Sequence, residues 1–142
     1  MNPLPANEQA ERAILGAILM DNACIPSNLL PEEFSLDAHA RIFTRILELR
    51  RLKRQADLIT LTEEFIRRNE VLSIGSIAYL ASLTEGLPRN IALLDYVRIV
   101  KEKAALRAII AACQEAIDAA TEQRQLPVNI ASKLRRALPK ES

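Results

Sequence analysis

The stretch NIALLDYVRIVKEKAALRAIIAACQEAIDAATEQ, Asn90 to Gln123, contains neither glycine nor proline and lies between Pro88 and Pro127. Its Ala, Leu, Lys, Arg and Glu residues lose little conformational entropy in a helix, and Asn90 offers an N-cap acceptor to the free amides of a first turn. The pattern predicts one long helix over these residues. At 1.5 Å per residue it would extend roughly 50 Å, whereas a compact chain of this length measures about 35–40 Å across. One helix is therefore expected to project from the body.

The apolar residues of this helix fall into two stripes. At ~100° per residue, Leu93, Val97, Val100 and Ala104 share one face, and Leu106, Ile109, Cys113, Ile117 and Ala120 share another, turned from the first by roughly 170°. A helix buried all round in one core is the alternative, but Arg98, Lys101, Glu102, Lys103, Arg107, Glu115 and Asp118 are spread along its length, which opposes it. The expectation is a first half packed on a globular head and a second half packed on something else. The segment IASKLRRAL after Pro127, opened by Asn129, carries Ile130, Leu134 and Ala137 or Leu138 on a narrow stripe. It is expected to fold back as the second arm of a helical hairpin.

Upstream, Asn7 caps NEQAERAILGAILMDN, with acids in the first turn and Ala10, Ile14, Leu15, Ile18 and Leu19 at helical spacing. Gly16 falls inside this helix, where it costs roughly 1 kcal/mol relative to Ala; a close helix crossing or mere tolerance would account for it. CIPSNLLPEEF is broken twice by proline, so Ser27 and Pro31 can each begin a short turn. Ser35 is expected to cap LDAHARIFTRILELRRLKR, with Ala38, Ile42, Ile46 and Leu49 inward and Arg41, Arg45, Arg50, Arg51, Lys53 and Arg54 outward. Thr60 and Glu63 form a potential capping box, and Ser73 and Ser76 around Gly75 mark another start before Gly86 and Pro88. No segment reads as a strand with a partner. The fold class is all-α: a small multi-helix head, residues 1–89, followed by a long helix and helical hairpin, residues 90–142.

Composition narrows the function. The 142 residues carry a formal charge of +1 with acids and bases interspersed, so no single-sign field draws the whole chain to nucleic acid or an anionic membrane. The bases from Arg41 to Arg54 suit either a solvated face or a phosphate-contact surface. The N-terminus has no basic region followed by an apolar core, and no apolar run approaches the ~20 residues of a bilayer span; a cytoplasmic protein is expected. Cys24 and Cys113 have no ligand or disulfide spacing and read as structural thiols. His39, the only histidine, has no partner placed by sequence and reads as structural. With only Gly16, Gly75 and Gly86 available, neither GxxxxGK[ST] nor GxGxxG can be assembled, and HExxH, GxSxG and paired Cys/His clusters do not occur. Composition and periodicity lead to a non-catalytic helical interaction domain without cofactor, metal or catalytic residues.

The order of the segments resembles one family. Asn7-Glu8-Gln9-Ala10-Glu11 runs into AILGAILMDN; Glu33-Phe34 precedes His39-Ala40-Arg41-Ile42-Phe43; Ala56-Asp57-Leu58-Ile59-Thr60-Leu61 and Ile77-Ala78-Tyr79-Leu80-Ala81-Ser82-Leu83 follow. Pro88-Arg89-Asn90 and Tyr96-Val97-Arg98-Ile99-Val100-Lys101-Glu102-Lys103 complete the set. Together, over roughly residues 5–120, they resemble the N-terminal domain of the bacterial replicative DNA helicase DnaB; residues 127–139 match least. The resemblance implies a helical head with a hairpin through which copies pair, as a dimer or as a trimer of dimers in a hexamer, to form a collar. It also implies docking of the primase DnaG or a helicase loader; little or no direct DNA binding is expected from the near-neutral charge. The face implied for self-association or partner contact comprises Leu106, Ile109, Cys113, Ile117, Ala120 and Leu134. ATP and Mg2+ would belong to a motor domain that these residues do not contain. Two other readings stay open: a stand-alone or primase-type adaptor that binds helicase, and a small helical DNA-binding protein using Arg41 to Arg54.

Overall fold

The computed structural model describes residues 3–140, and no strand occurs among them. Six α-helices follow in order: α1 Glu8–Met20, α2 Asp37–Arg51, α3 Leu58–Arg67, α4 Ile77–Ser82, α5 Leu93–Thr121 and α6 Pro127–Ala137. Single 3-10 turns at Asn22–Cys24, Pro31–Glu33 and Val71–Ile74 punctuate the first four. The chain divides into two compact units, one formed by Ala6–Lys101 and the other by the segment from Glu102 onward together with the N-terminal arm ending at Pro5. The division falls within α5, whereas the sequence pattern ended the head at residue 89. Val97 and Val100 are buried and Leu93, Tyr96 and Ile99 pack against the same core, so the first two turns of α5 belong to the head.

The head is built on α1 and α2. Ile14, Leu15 and Ile18 of α1 and Ile42, Phe43 and Ile46 of α2 are fully enclosed, and Leu61, Phe65, Ile74, Leu80 and Leu83 close the core around them. Asn7 caps α1 as expected, its side chain accepting from the Ala10 amide at 2.9 Å. Gly16 is a close-approach site: a Cβ there would lie 2.1 Å from the Leu83 carbonyl oxygen. Asn22 ties the end of α1 to the start of the α3 region, donating to the carbonyls of Ile18 and Ala56 and accepting from the Ala56 amide at 2.8 Å. Lys101 holds α5 to the head through Glu33 at 2.9 Å and the Asn28 carbonyl at 2.7 Å.

Several expected caps lie elsewhere. The α5 ladder starts with the Tyr96 amide donating to Ala92, so Asn90 precedes the helix without capping it. Leu36, not Ser35, is the N-cap residue of α2: the first ladder bond runs from the Ala40 amide to the Leu36 carbonyl, and Ser35, one residue earlier, gives its amide to Glu11 Oε2 at 2.8 Å. The capping box of α3 is Asp57 with Thr60 rather than Thr60 with Glu63: the Asp57 side chain accepts from the Thr60 amide while Thr60 Oγ1 accepts from the Asp57 amide. The Asp three residues earlier accepts from the Thr60 amide and so opens the helix at Leu58. Pro127 opens α6 at its first position with no side-chain cap, which displaces Asn129 from that role. Ser76 caps α4 as expected.

Helix ends carry a feature that no glycine announced. Lys53, Asn69 and Gln123 have φ of 59°, 56° and 53°. Each closes a helix by the same pair of bonds: its own amide donates to Arg50, Ile66 or Ala120, and the next amide to Leu49, Phe65 or Ala119. These are left-handed helix stops of the kind usually held by Gly.

Candidate functional site

The unit beyond Lys101 presents two different faces of α5. The α6 residues Ile130, Leu134 and Ala137 line a crevice of about 50 Å³ with Ala112, Ala116 and Ala119 of α5. Small side chains at i, i+4 and i+7 let the two arms of the hairpin approach, and Ala119 is buried there. The turn between the arms is made by the Gln123 helix stop. Glu115 and Lys133 meet at 2.5 Å across the arms, and this hydrogen bond from Lys133 holds the Glu115 carboxyl below its ordinary value. Both side chains are exposed, so the pair adds little stability.

Because α6 takes the alanine face, the aliphatic face beside it stays uncovered. Leu106, Ile109 and Ile117 are 45%, 39% and 58% exposed, and Cys113 and Ala120 are exposed beside them. Leu134, grouped with them from sequence, instead faces the alanine side of α5 and is half-buried. Ile110 was overlooked although it follows Leu106 by one helical turn; it is 43% exposed and widens the face. Cys113 is thus a surface thiol rather than a packed structural one, whereas Cys24 is half-buried against the head core. Arg107 Nη1 donates to the Pro5 carbonyl at 2.8 Å, attaching the N-terminal arm to this part of α5.

The head contains a buried polar chain that sequence did not place. Glu11, 1% exposed, and His39, fully buried, meet at 2.8 Å between Oε1 and Nδ1, and His39 Nε2 lies 2.5 Å from Tyr79 Oη. All three groups are satisfied when Nδ1–H donates to Glu11 and the Tyr79 hydroxyl donates to Nε2. Burial raises the Glu11 carboxyl, but the hydrogen bonds from His39 and Ser35 outweigh it and hold the group below its ordinary value. Arg12 lies over the Tyr79 ring at 5.2 Å. With His39 fully buried, the chain joins α1, α2 and α4 and offers a substrate no approach.

Two of the six bases on the outer side of α2 and at its end are paired, and the side chains of Arg50, Arg51, Lys53 and Arg54 have no partner among the described residues. Arg41 pairs with Asp37, and Arg45 with Glu48 and, through two nitrogens, with Glu70. For Arg41 and Arg45 that satisfaction favours a structural role over phosphate contact. Among the described residues no group of three or more His, Cys, Asp or Glu could hold a metal ion, and no helix is long and apolar enough to cross a membrane.

The DnaB-like helicase N terminal domain family matches residues 3–102. The replicative DNA helicase DnaB of Geobacillus stearothermophilus is 36% identical over 109 residues, which is 75% of this chain and 24% of that protein. Its counterpart from Haemophilus influenzae is 37% identical over 109 residues, 75% of this chain and 23% of that protein. The chain therefore spans about a quarter of the length of these curated relatives. Among solved structures, the N-terminal domain of DnaB helicase from Mycobacterium tuberculosis superposes with a TM-score of 0.87 at 26% identity, covering 96% of this chain and 98% of that one. A DnaB-like replicative helicase, described with its interactions with primase, superposes with a TM-score of 0.74 at 25% identity over 96% of this chain and 32% of that one. With a matching segment order, an all-helical head and a hairpin built on α5, the chain belongs to the DnaB-like helicase N-terminal domain family.

Proposed function

We propose that this chain is the non-catalytic assembly and partner-binding domain of a replicative DNA helicase, and that copies associate through the uncovered face of α5 into an N-terminal collar. One observation carries the reading: Leu106, Ile109, Ile110, Cys113 and Ile117 form a continuous aliphatic face that the chain's own second arm leaves open. Apolar surface on this scale, on a helix already supported from another side, marks a protein interface. A second copy presents the same face and can cover it by a two-fold, self-complementary contact. The collar so formed would receive primase, as the primase interactions of the DnaB-like helicase of similar structure suggest, or a helicase loader.

Light scattering over a range of concentrations tests the association, with Ile109→Asp/Ile117→Asp as the variant. The parent chain is expected to form dimers or larger even-numbered assemblies, and the variant to be monomeric with its head still folded by circular dichroism. A variant that keeps the parent's mass would show that another surface joins the copies.

A further inference from the structure

The formal charge of +1 conceals a segregation. Between Pro127 and Lys140 the chain has four bases, Lys133, Arg135, Arg136 and Lys140, and no acid, so the rest of the chain carries −3. The next acid in sequence, Glu141, lies outside the described residues. Lys133 is engaged with Glu115, but Arg135, Arg136 and Lys140 are exposed and have no hydrogen-bond or ion-pair partner among the described residues. With Ser132 they line a shallow groove of about 460 Å³. At ~100° per residue Ser132, Arg135 and Arg136 share one face of α6, opposite Ile130, Leu134 and Ala137, which face α5. The two sides of α6 therefore have separate roles.

Cations in a last turn are ordinarily placed by the helix dipole, and Arg135 and Arg136 serve that purpose. The dipole does not account for Lys140 beyond the helix end, nor for the absence of any balancing acid over fourteen residues from Pro127 to Lys140. On α2, Arg41 and Arg45 are matched by Asp37, Glu48 and Glu70, whereas Arg50 and Arg51 in its last turn have no ion-pair partner among the described residues, which makes them the comparison for the test.

We propose that the outer face of α6, made by Ser132, Arg135, Arg136 and Lys140, contacts the phosphate backbone of single-stranded nucleic acid. The open, shallow groove suits a flexible backbone. Planar guanidinium groups bind phosphate through two N–H donors, and the Ser132 hydroxyl adds a neutral donor. There is no aromatic side chain between Pro127 and Lys140 on which bases could stack, so the contact reads charge and not sequence. The choice of nucleic acid over an acidic protein rests on the proposed role in a DNA helicase. Three to four phosphate contacts give a weak site in a single copy, and several copies joined in one assembly would engage one strand with higher avidity.

The test is fluorescence anisotropy of labelled dT20 with the 142-residue chain from low to moderate salt. Binding is expected, with log K falling against log salt at a slope of about −2 to −3. Arg135→Glu/Arg136→Glu should weaken it at least tenfold. Arg50→Glu/Arg51→Glu makes the same charge change at exposed positions at the end of α2 and should weaken it less than threefold. Absence of binding at low salt, or equal losses in the two variants, would overturn the proposal. Competition by polyglutamate as effective as that by dT20 would overturn it in favour of an acidic protein partner. Light scattering on Arg135→Glu/Arg136→Glu should return the parent's mass; a smaller mass would assign the patch to the assembly contact and sink the nucleic-acid reading. A parent chain that binds dT20 while remaining monomeric would refute the collar and leave this site standing.

Discussion

Gly16 shows how a single missing methyl group can govern packing. A Cβ at that position would meet the Leu83 carbonyl oxygen at 2.1 Å and its carbon at 3.0 Å, both backbone atoms that cannot rotate aside. Alanine would gain roughly 1 kcal/mol in helix propensity, but the forced backbone displacement costs more, typically about 1–3 kcal/mol for overpacking. Gly16→Ala is therefore expected to lower the urea midpoint, and an unchanged or raised midpoint would show that the crossing opens freely. The three left-handed helix stops work in the other direction. A non-glycine side chain in this conformation costs roughly 1–2 kcal/mol, against which glycine loses about 0.5–1 kcal/mol through its freer unfolded chain. Lys53→Gly and Gln123→Gly should each stabilise by about 0.5–1 kcal/mol in denaturant titrations, and Asn69→Gly by less, since Asn tolerates the conformation.

At the scale of the element, α5 is one helix of about 43 Å by its rise per residue with three kinds of surface. Its first turns bury Val97 and Val100 in the head; further along, alanines meet α6 while leucine and isoleucines remain open. Alanine at the α6 contact sets the distance between the arms, so enlargement there should act on the hairpin alone. Ala119→Leu is expected to speed amide exchange throughout α6 while leaving exchange in α1 and α2 unchanged. Exchange that rises in the head as well would mean that the two units unfold together. The same geometry explains why the sequence pattern identified most of the open face and misassigned Leu134. A periodicity records which residues of a helix share a side, and Leu134 shares its side with Ile130. It does not record which neighbouring helix that side meets.

For the molecule as a whole, acid stability depends on carboxylates in the head. Glu11 is held below its ordinary value by His39 and Ser35 against the opposing effect of burial, Glu64 by Arg67 and Arg68, and Glu70 chiefly by Arg45. A carboxyl group with a lower pKa folded than unfolded contributes stability that is fully present above the unfolded value, ordinarily 4.5, and is lost as pH falls through the folded value. The urea midpoint should thus be flat from neutral pH to about 5 and fall steeply below it. Glu70→Gln should make that fall shallower while lowering the plateau. An equally steep fall in the variant would assign the acid sensitivity to other groups.

The helices, their order and the hairpin were legible because each depends on local rules: apolar spacing, a proline at a first turn, an Asn or Ser before a helix; the family was legible as a resemblance in the order of whole segments. The absence of a phosphate loop was equally plain from three glycines at the wrong spacing. What stayed hidden depends on groups far apart in the chain. Glu11, His39 and Tyr79 come from three helices, and Glu11 also accepts from the Ser35 amide before α2. The helix stops at Lys53 and Gln123 carry no residue signal because paired backbone hydrogen bonds to the last turn, rather than a glycine, close them. The stripe from Leu106 to Ala120 was legible in the sequence, but the place of Leu134 on the alanine side of α5 and the unpartnered bases of α6 became visible only when the fold showed which side each arm turns toward the other. The amphipathic stripes determine that these surfaces exist, and tertiary packing decides which of them remains for a partner.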